Sequence, residues 1–421
     1  MSQSPLNRSR RHFLAHAAGA SAMTIPALSL GNSLLAKTTE LRKNAKSAIL
    51  LWMDGGPSTI DLWDLKPNSP SAGEFKLIST TGDMQIGEHL PMLAKQMHNL
   101  SIVRSMSTRE ADHTRGRYYM KTGFVPNPSI EHPTYGSVVA HELADQVPEL
   151  QIPPFVSIGN SQLGAGFLGM SWAPFNVDSN GQIRNLQGLR DRKRVNQRYE
   201  ILSLLEQEFE KQQRGSAATD HRKILSETLE VMTSTQMSAF EVASEEQKVK
   251  DRYGNTNFGR GCLMARRLVE AGVPFIEVNF GGWDNHQNIF PTLRDTRLPD
   301  MDRAMSALVE DLKERGRLES TAIIWMGEFG RTPRINGNAG RDHWARAWSV
   351  VVGGGKFKQG IAVGKTNEDG TAVETTPYTS QDLMASVCHA LDIPLKTTYQ
   401  SKSGRPMKIA NGGKIIKDLF A

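Results

Sequence analysis

The sequence predicts an α/β protein in which helices cover both faces of a mostly parallel sheet. Short apolar segments alternate with longer segments of helical periodicity, and nearly every short segment ends in Gly, Asp or a polar turn. Near-continuous apolar strands that alternate with helices are typical of such sheets. The chain of 421 residues is long enough to bury a sizeable core, and its mean hydropathy of -0.41 excludes a polytopic membrane protein.

Six strands are predicted from the short apolar segments. They cover residues 47–52, 100–104, 155–158, 275–280, 322–326 and 349–352. In sheets of this class, ligands bind beyond the carboxyl ends of the strands, so the residues that follow each strand are the first candidates for chemistry.

Helical periodicity is clearest in the second half of the chain. An apolar stripe from Met301 to Leu312 ends at Gly316, and another stripe ends at Gly272. Residues 189–250 are strongly charged and carry two apolar stripes separated by a Gly-Ser break. This segment is predicted to be a helical hairpin inserted into the α/β domain, with its charges on a solvated outer face.

The first 36 residues are predicted to be a twin-arginine export signal. The segment Ser9-Arg10-Arg11-His12-Phe13-Leu14 precedes a mildly apolar run that is too weak for a comfortable membrane span. Cleavage after Ala36 is predicted, with an uncleaved anchor as the alternative. The twin-arginine machinery is then a partner, residues 37–421 form the mature domain, and the protein is periplasmic or exported.

The charge balance gives no reason to expect nucleic-acid binding. The formal net charge is +6, and three of the positive charges lie in the predicted signal. No membrane span is expected in the mature chain. Cys262 and Cys388 each lie in an apolar helical context, so we expect two separate buried thiols even in an oxidising compartment.

Carboxylates and imidazoles stand beside four of the predicted strands. The first of them, Asp54, directly follows the first strand. The others are Asp284, His286, Glu328, Asp342 and His343. Such side chains offer the oxygen and nitrogen ligands that Zn, Mn or similar ions need. We therefore expect them to converge at one edge of the sheet and to hold a divalent metal.

A fifth polar segment, residues 112–123, follows the second strand and then turns helical. An imidazole or hydroxyl at its start, from His113 or Thr114, would face the positive end of the helix dipole, which favours an anion. Arg115 and Arg117 add fork-shaped donors for phosphate or sulfate, and we assign them to substrate binding. The alternative is a capped helix with surface arginines.

The mature chain resembles the bacterial family labelled domain of unknown function 1501 over roughly residues 45 to 400. The resemblance is carried by Met53-Asp54-Gly55-Gly56-Pro57-Ser58, His113 with Met120-Lys121-Thr122-Gly123, Gly282-Trp283-Asp284-Asn285-His286, Gly327-Glu328-Phe329-Gly330-Arg331-Thr332-Pro333 and Gly340-Arg341-Asp342-His343-Trp344. That family in turn resembles the alkaline phosphatase and sulfatase superfamily. The resemblance implies a three-layer α/β/α sandwich with a hydrolytic site that holds one or two metal ions.

The resemblance also implies metal ligands at particular positions. Asp54 resembles the first-strand metal aspartate of the superfamily, and Asp284 with His286 resembles an aspartate–histidine pair at a spacing of two rather than four. Glu328 and His343 fall at further ligand positions. Asp342 is a spare carboxylate next to His343 and is included in the predicted metal set.

Two positions depart from the superfamily pattern. Phe329 stands where a second-metal histidine is expected, which leaves the number of metals open. His113 or Thr114 falls at the nucleophile position, and because neither is Cys or Ser, formylglycine chemistry is not expected. Thr114 as a hydroxyl nucleophile and His113 as a further ligand both remain open.

Two functions follow from these observations. The first is an exported hydrolase of phosphate or sulfate esters that uses one or two ions of Zn, Mn or Ca and acts on an anionic small-molecule or polysaccharide ester. In it, Thr114 or a water is the nucleophile, and Arg331 or Arg341 stabilises developing negative charge. Arg341 is assigned to substrate binding together with Arg115 and Arg117. The second is a catalytically inactive, metal-stabilised binding or structural protein on the same fold, which Phe329 and the unclear nucleophile favour.

Overall fold

The computed structural model describes residues 40–42, 44–159, 161–182 and 234–420. The chain divides into two units, Met1–Asn44 and Ala45–Ala421, and the second contains all the elements discussed below. The predicted export signal and most of the predicted helical hairpin lie outside the described residues.

The described residues form fourteen strands, of which eight build one sheet in the order β12-β4-β11-β8-β1-β7-β5-β6. All six strands predicted from sequence are confirmed, each within two residues of its predicted ends. The strands are β1 Ser47–Asp54, β2 Leu77–Ser79, β3 Gln85–Gly87, β4 Leu100–Met106, β5 Phe155–Ile158, β6 Phe175–Val177, β7 Phe275–Gly281, β8 Thr321–Met326, β9 Gly330–Arg331, β10 His343–Trp344, β11 Trp348–Gly353, β12 Ala362–Val363, β13 Thr398–Gln400 and β14 Pro406–Lys408.

One strand of the large sheet, β11, runs against the others. It pairs antiparallel with β4 on one side and with β8 on the other, whereas the remaining neighbours in the sheet are parallel. Residues that precede an antiparallel strand lie at the same edge as residues that follow a parallel one. The segment before β11 therefore reaches the edge at which β1, β7 and β8 end.

Helices cover both faces of the sheet, as the sequence predicts. Residues of α6 and α8 belong to the hydrophobic core on one face, and residues of α4 and α9 belong to the core on the other. The helices are α1 Thr59–Leu62, α2 Pro91–Ala94, α3 His113–Thr122, α4 Tyr135–Leu143, α5 Gln247–Tyr253, α6 Asn257–Ala271, α7 Ile289–Thr292, α8 Leu298–Glu314 and α9 Ser380–Ala390.

Strand β1 shows why these strands read as continuous apolar runs. Its side chains alternate between the faces, so that Leu51 and Met53 join the core under α6 and α8, while Leu50 and Trp52 join the other core. Because both faces are covered, apolar side chains fill both sets of alternating positions from residue 48 to residue 53. The apolar pattern of this one strand of eight residues therefore already indicates a sheet that is covered on both faces, as in a three-layer α/β/α architecture.

The local signals of the long helices are borne out as well. Helix α6 ends at Gly272, whose φ of 95° is left-handed, as a glycine after a helix end allows.

Cys262 and Cys388 are buried free thiols, as expected from their apolar helical contexts. Among the described residues, no helix is both long and apolar enough to cross a membrane.

The end of the predicted hairpin, from residue 234 onward, is described and is not one continuous helix. Short 3-10 helices at Thr235–Phe240 and Val242–Ser244 come before α5. Ser234 and Ser244 bond to nearby backbone groups, and such bonds compete with a regular helix. The apolar positions at Phe240 and Val242 are nevertheless buried in the core.

Candidate metal centre

The candidate site lies at the edge of the sheet where β1, β7 and β8 end. Asp284 and His286 follow β7, Glu328 follows β8, and His113 is the first residue of α3. Two short strands complete the site: β9 pairs with β10, with Arg331 opposite His343. The expected convergence of Asp284, His286, Glu328 and His343 at one edge is therefore present.

Three imidazoles surround one carboxylate. His286 Nε2 lies 3.0 Å from Asp284 Oδ1, and His343 Nε2 lies 3.3 Å from the same oxygen. His113 Nε2 lies 3.3 Å from Asp284 Oδ2, on the other side of the carboxylate. The Nε2 atoms of His286 and His343 are 3.1 Å apart. Nε2 is thus the atom that each of the three rings turns to the centre.

The other nitrogen of each imidazole is held by an acceptor. His113 Nδ1 is 2.6 Å from Glu328 Oε1, and His286 Nδ1 is 2.7 Å from Asp342 Oδ1. His343 Nδ1 is 2.8 Å from the carbonyl oxygen of Ala111. Carbonyl and ionised carboxylate oxygens only accept hydrogen bonds, so each Nδ1 carries the proton and each neutral ring offers the Nε2 lone pair. Histidines that bind metals are oriented in this way.

The charges around Asp284 keep it ionised. Burial acts to raise the pKa of Asp284, but hydrogen bonding to Arg331 and the Arg331 charge outweigh it and lower the pKa to about 2. The hydrogen bond to Glu328 raises the pKa of His113, whereas burial lowers the pKa of His343. A permanent carboxylate and imidazoles of differing basicity therefore meet at one point.

Arg331 is part of the framework of the site. Its side chain is fully buried, and it donates from Nε to the Gly56 carbonyl at 2.8 Å and from Nη1 to the Arg341 carbonyl at 3.1 Å. Its Nη2 donates to the Gly55 carbonyl and lies 2.5 Å from Asp284 Oδ1. The guanidinium thereby fixes Asp284 against the glycine turn that follows β1.

The donor set fits a divalent ion. One atom each from His113, Asp284 and His343 lies within 4.8 Å of the others, which is close enough to share one cation. His113 Nε2 is buried with no hydrogen-bond partner among the described residues, and Glu328 Oε2 is in the same condition. Unpaired buried polar atoms are costly unless something absent from the coordinates satisfies them. A cation bound by the imidazoles would satisfy the first of these atoms.

Three of the predicted metal ligands have other partners in this structure. Glu328 and Asp342 accept hydrogen bonds from His113 and His286, so they orient these imidazoles and do not join the group that could share a cation. The predicted ligand His286 also lies outside that group. The carboxylate of Asp54 accepts from Arg117 Nη2 at 2.7 Å. The ligand set is therefore smaller than the sequence prediction and richer in histidine.

The predicted substrate-binding arginines are occupied. Arg341 is fully buried and bonds Asp61 through Nε at 2.8 Å and Nη2 at 2.7 Å, so its assignment to substrate binding does not agree with the structure. Arg117 is bound to Asp54, and Arg115 forms an exposed pair with Glu110. The guanidinium groups of these arginines are already paired with acidic side chains, so the arginines connect segments around the site and are not available to bind a substrate anion.

His113 and Thr114, which the sequence left open between two roles, are separated by the geometry. His113 belongs to the imidazole cluster, which favours its role as a ligand. Thr114 is exposed, and adjacent residues of a helix do not face the same direction. The local signal for His113 was its position as first residue of a helix capped by Asp112, which accepts from Arg115 N.

We expect Gly340→Ala to disturb the centre without changing any ligand. A Cβ at position 340 would lie 2.0 Å from the carbonyl carbon of His286, and neither backbone segment has room to move away. The strain of such overpacking is about 1–3 kcal/mol. We expect a lower melting temperature and weaker metal retention by elemental analysis. Gly337→Ala, with no atom within 4 Å of its Cβ, is the matched control and should change neither.

Fold and site together define the class of protein: an α/β/α sandwich with a histidine-rich candidate metal centre at the carboxyl edge of its sheet. The chain belongs to the family described as "Protein of unknown function (DUF1501)", which matches residues 45–420. No relative among curated proteins matches the chain.

Solved structures similar to this chain include members of the alkaline phosphatase and sulfatase superfamily. A protein of the alkaline phosphatase superfamily from Vibrio parahaemolyticus is 12% identical, with a TM-score of 0.39 over 90% of this chain and 71% of that one. A sulfatase from Pseudoalteromonas sp. is 14% identical, with a TM-score of 0.36 over 87% and 71%. The alkaline phosphatase of the Antarctic bacterium TAB5 is 13% identical, with a TM-score of 0.32 over 83% and 99%.

Proposed function

We propose that this protein is an exported, metal-dependent hydrolase of phosphate or sulfate esters. The observation that carries the proposal is the convergence of three oriented imidazoles on Asp284. Export rests on the twin-arginine pattern of the first 36 residues, and the twin-arginine machinery is the partner that it implies. The substrate is an anionic small-molecule or polysaccharide ester.

The donor set favours one ion, and zinc over the alternatives. Two imidazole nitrogens, from His113 and His343, and one carboxylate oxygen, from Asp284, lie close enough to share one ion, and this nitrogen-rich set of three protein ligands suits zinc. His286 contacts this set through Asp284 and His343 but does not belong to it. Calcium prefers six to eight oxygen ligands, which this cluster does not offer. Mn remains the second choice because it accepts mixed nitrogen and oxygen ligands. When bound, such an ion supplies polarisation of the ester and activation of water.

The open face of the cluster favours catalysis over a purely structural role. The side chains of Asp284 and His286 are 45% and 44% exposed, whereas ligands of structural zinc sites close around the ion. Phe329 is fully buried, and its ring centroid lies 4.5 Å from that of His343. Phe329 therefore walls the inner side of the cluster and leaves the outer side accessible.

The residues of the chain have separable tasks in this proposal. Asp342 and Glu328 hold His286 and His113 in the tautomer that presents Nε2, and Arg331 keeps Asp284 ionised in the same place. His286 is the most exposed of the three imidazoles, so it is the group best placed to exchange a proton with a substrate. Thr114 is exposed, and as the neighbour of His113 on α3 it faces another direction. We therefore favour a water over Thr114 as the nucleophile.

The test is elemental analysis of the purified mature protein, combined with a screen of aryl phosphate and aryl sulfate esters. We expect about one equivalent of a transition metal, zinc by preference, and turnover of one ester class that a chelator abolishes and zinc restores. Bound metal without turnover on any ester class would favour the second candidate, a metal-stabilised binding protein. Phe329 and the occupied forks of the arginines are the observations that support that candidate.

A further inference from the structure

A polar cleft of about 440 Å³ opens beyond the carboxyl ends of β5 and β7. It is lined by backbone of Gly159 and Gly281 and by the side chains of Asn279, Arg297 and Asp300, among others. Clefts at this edge of an open α/β sheet are the usual ligand sites of such folds. None of the residues of the metal centre lines this cleft.

The cleft adjoins the metal centre through the chain itself. Gly281 lines the cleft, and Asp284 follows three residues later, a span of at most about 11 Å of extended chain. Arg297 packs directly on the connecting residue, because a Cβ on Gly282 would lie 2.2 Å from Arg297 Nη2. One ligand of modest size is therefore able to reach from the cleft to the imidazoles.

Two charged side chains of the cleft are close enough to interact: burial raises the pKa of Asp300, and the charge of Arg297 acts to lower it. Neither Arg297 nor Asp300 forms an ion pair or a hydrogen bond with any of the described residues, although both line the same cleft one helical turn apart. Arg297 Nε is buried with no acceptor, and the guanidinium lies over the Phe280 ring, 5.6 Å from its centroid. This contrasts with the arginines around the metal centre, whose forks are filled by acidic side chains.

The side-chain amide of Asn279, a third polar group of the cleft, is oriented by hydrogen bonds to neighbouring side chains. The amide nitrogen of Asn279 donates to Glu277 Oε1 at 3.0 Å and reaches Ser157 Oγ at 3.3 Å. Because these bonds engage Nδ2, the orientation of the amide is set and Oδ1 remains as an acceptor. Glu277 is itself held by Lys121 Nζ at 2.8 Å, so the amide sits on a rigid support.

The balance of charge in the cleft selects the ligand. Its charged side chains are one arginine and two aspartates, Asp178 and Asp300, so a multiply charged anion does not meet a matching field. Hydroxyl groups are both donors and acceptors, and they satisfy carboxylate, amide and guanidinium groups together. The apolar side chains of Phe258 and Val278 also line the cleft and suit the carbon face of a ring.

We propose that this cleft binds the neutral, polyhydroxylated part of an ester substrate, a sugar unit, while the metal centre receives the charged ester group. The inference rests on the proposed function, since it assigns the leaving portion of the same substrate. It makes Arg297, Asp300 and Asn279 residues that determine specificity. An ester with a simple aryl leaving group would then be turned over with a high KM.

The experiment uses the full mature chain after removal of metal, so that sugar binding is measured apart from hydrolysis. The probes are methyl glycosides of glucose, galactose and mannose, with sodium sulfate as a separate ligand, followed by calorimetry and saturation-transfer NMR. We expect at least one glycoside to bind with a millimolar Kd. Arg297→Gln and Asp300→Asn should each weaken that binding about tenfold, because each replaces a charge-assisted hydrogen bond to the ligand with a weaker neutral one.

Arg303→Gln is the matched control, since Arg303 is exposed on the same helix α8 and does not line the cleft. It should bind the glycoside like the wild type, and melting temperatures check that all variants are folded. The inference fails if no glycoside binds below 100 mM, if both cleft variants bind as the wild type does, or if sulfate takes the cleft in an Arg297-dependent way. Metal content is measured on each preparation before the metal is removed and tests the proposed function separately, so a protein that is purified with metal but binds no sugar overturns this inference alone.

Discussion

Asp284→Ala is expected to leave the purified protein without its divalent metal and to abolish ester hydrolysis. Asp284 approaches all three imidazoles, through Oδ1 to His286 and His343 and through Oδ2 to His113. Removal of the carboxylate deletes the charged ligand and leaves three neutral nitrogens beside the guanidinium of Arg331. We expect metal content by elemental analysis to fall from about one equivalent to background.

Graded variants separate a ligand from a residue that orients one. Glu328→Gln retains an acceptor for His113 Nδ1 but loses its charge, so it should weaken metal affinity by about 10–100-fold and not abolish binding. Asp295→Asn, at an exposed acid paired with Arg294 outside the site, should leave metal content unchanged. A folded Asp284→Ala protein that retains the metal of the wild type would contradict the assignment, and Asp284→Asn repeats the test with a side chain of the same size.

Lys121→Met is expected to destabilise the whole domain by about 3–5 kcal/mol, because it leaves a carboxylate buried without its counter-charge. Lys121 Nζ lies 2.8 Å from Glu277 Oε1, and the two side chains are 3% and 2% exposed. The ammonium also lies 4.4 Å from the ring centroid of Trp52. The pair joins α3 to the middle of β7, the two elements that lead to His113 and Asp284.

The measurement is urea unfolding of a double-mutant cycle. Glu277→Gln removes the charge but still accepts from Asn279, and we expect the double variant to be more stable than Lys121→Met alone, since no buried charge then lacks a partner. The exposed pair Lys365–Glu374 provides the control, and Lys365→Met should lower the free energy of unfolding much less than Lys121→Met does, because solvent screens an exposed pair. Equal losses at the buried and the exposed pair would show that the buried pair carries no special cost.

Most of the fold could be predicted from the sequence because its signals are local. Strands buried on both faces must be apolar at every position, so β1 and β8 stand out as continuous runs, and Gly272 marks the end of α6 by its left-handed conformation. The structure of the predicted hairpin was harder to predict from sequence, because charged residues on a solvated face do not indicate what the segment packs against. In the described part of that segment, serine side chains form hydrogen bonds with the local backbone, and short 3-10 helices form in place of one regular helix.

The site could be predicted only in part. The positions of Asp284, His286 and His343 beside strand ends indicated chemistry, and these residues do converge. The division of labour among the polar groups did not follow from spacing, because a carboxylate that accepts from a histidine and one that faces a cation have the same local sequence. Glu328, Asp342 and Asp54 illustrate this ambiguity.

By itself the sequence determined the family, the alternation of strands and helices, and which residue types reach the edge of the sheet, since all of these depend on periodicity and short motifs. Only the tertiary structure decided that β11 is antiparallel, which carries His343 to the edge where β7 ends. It also decided that each arginine predicted to bind substrate already has an acidic partner, while Arg297 forms no hydrogen bond or ion pair with any residue that the structure describes. The physical reason is that a hydrogen bond depends on which side chains meet across distant segments, and no local pattern records that meeting.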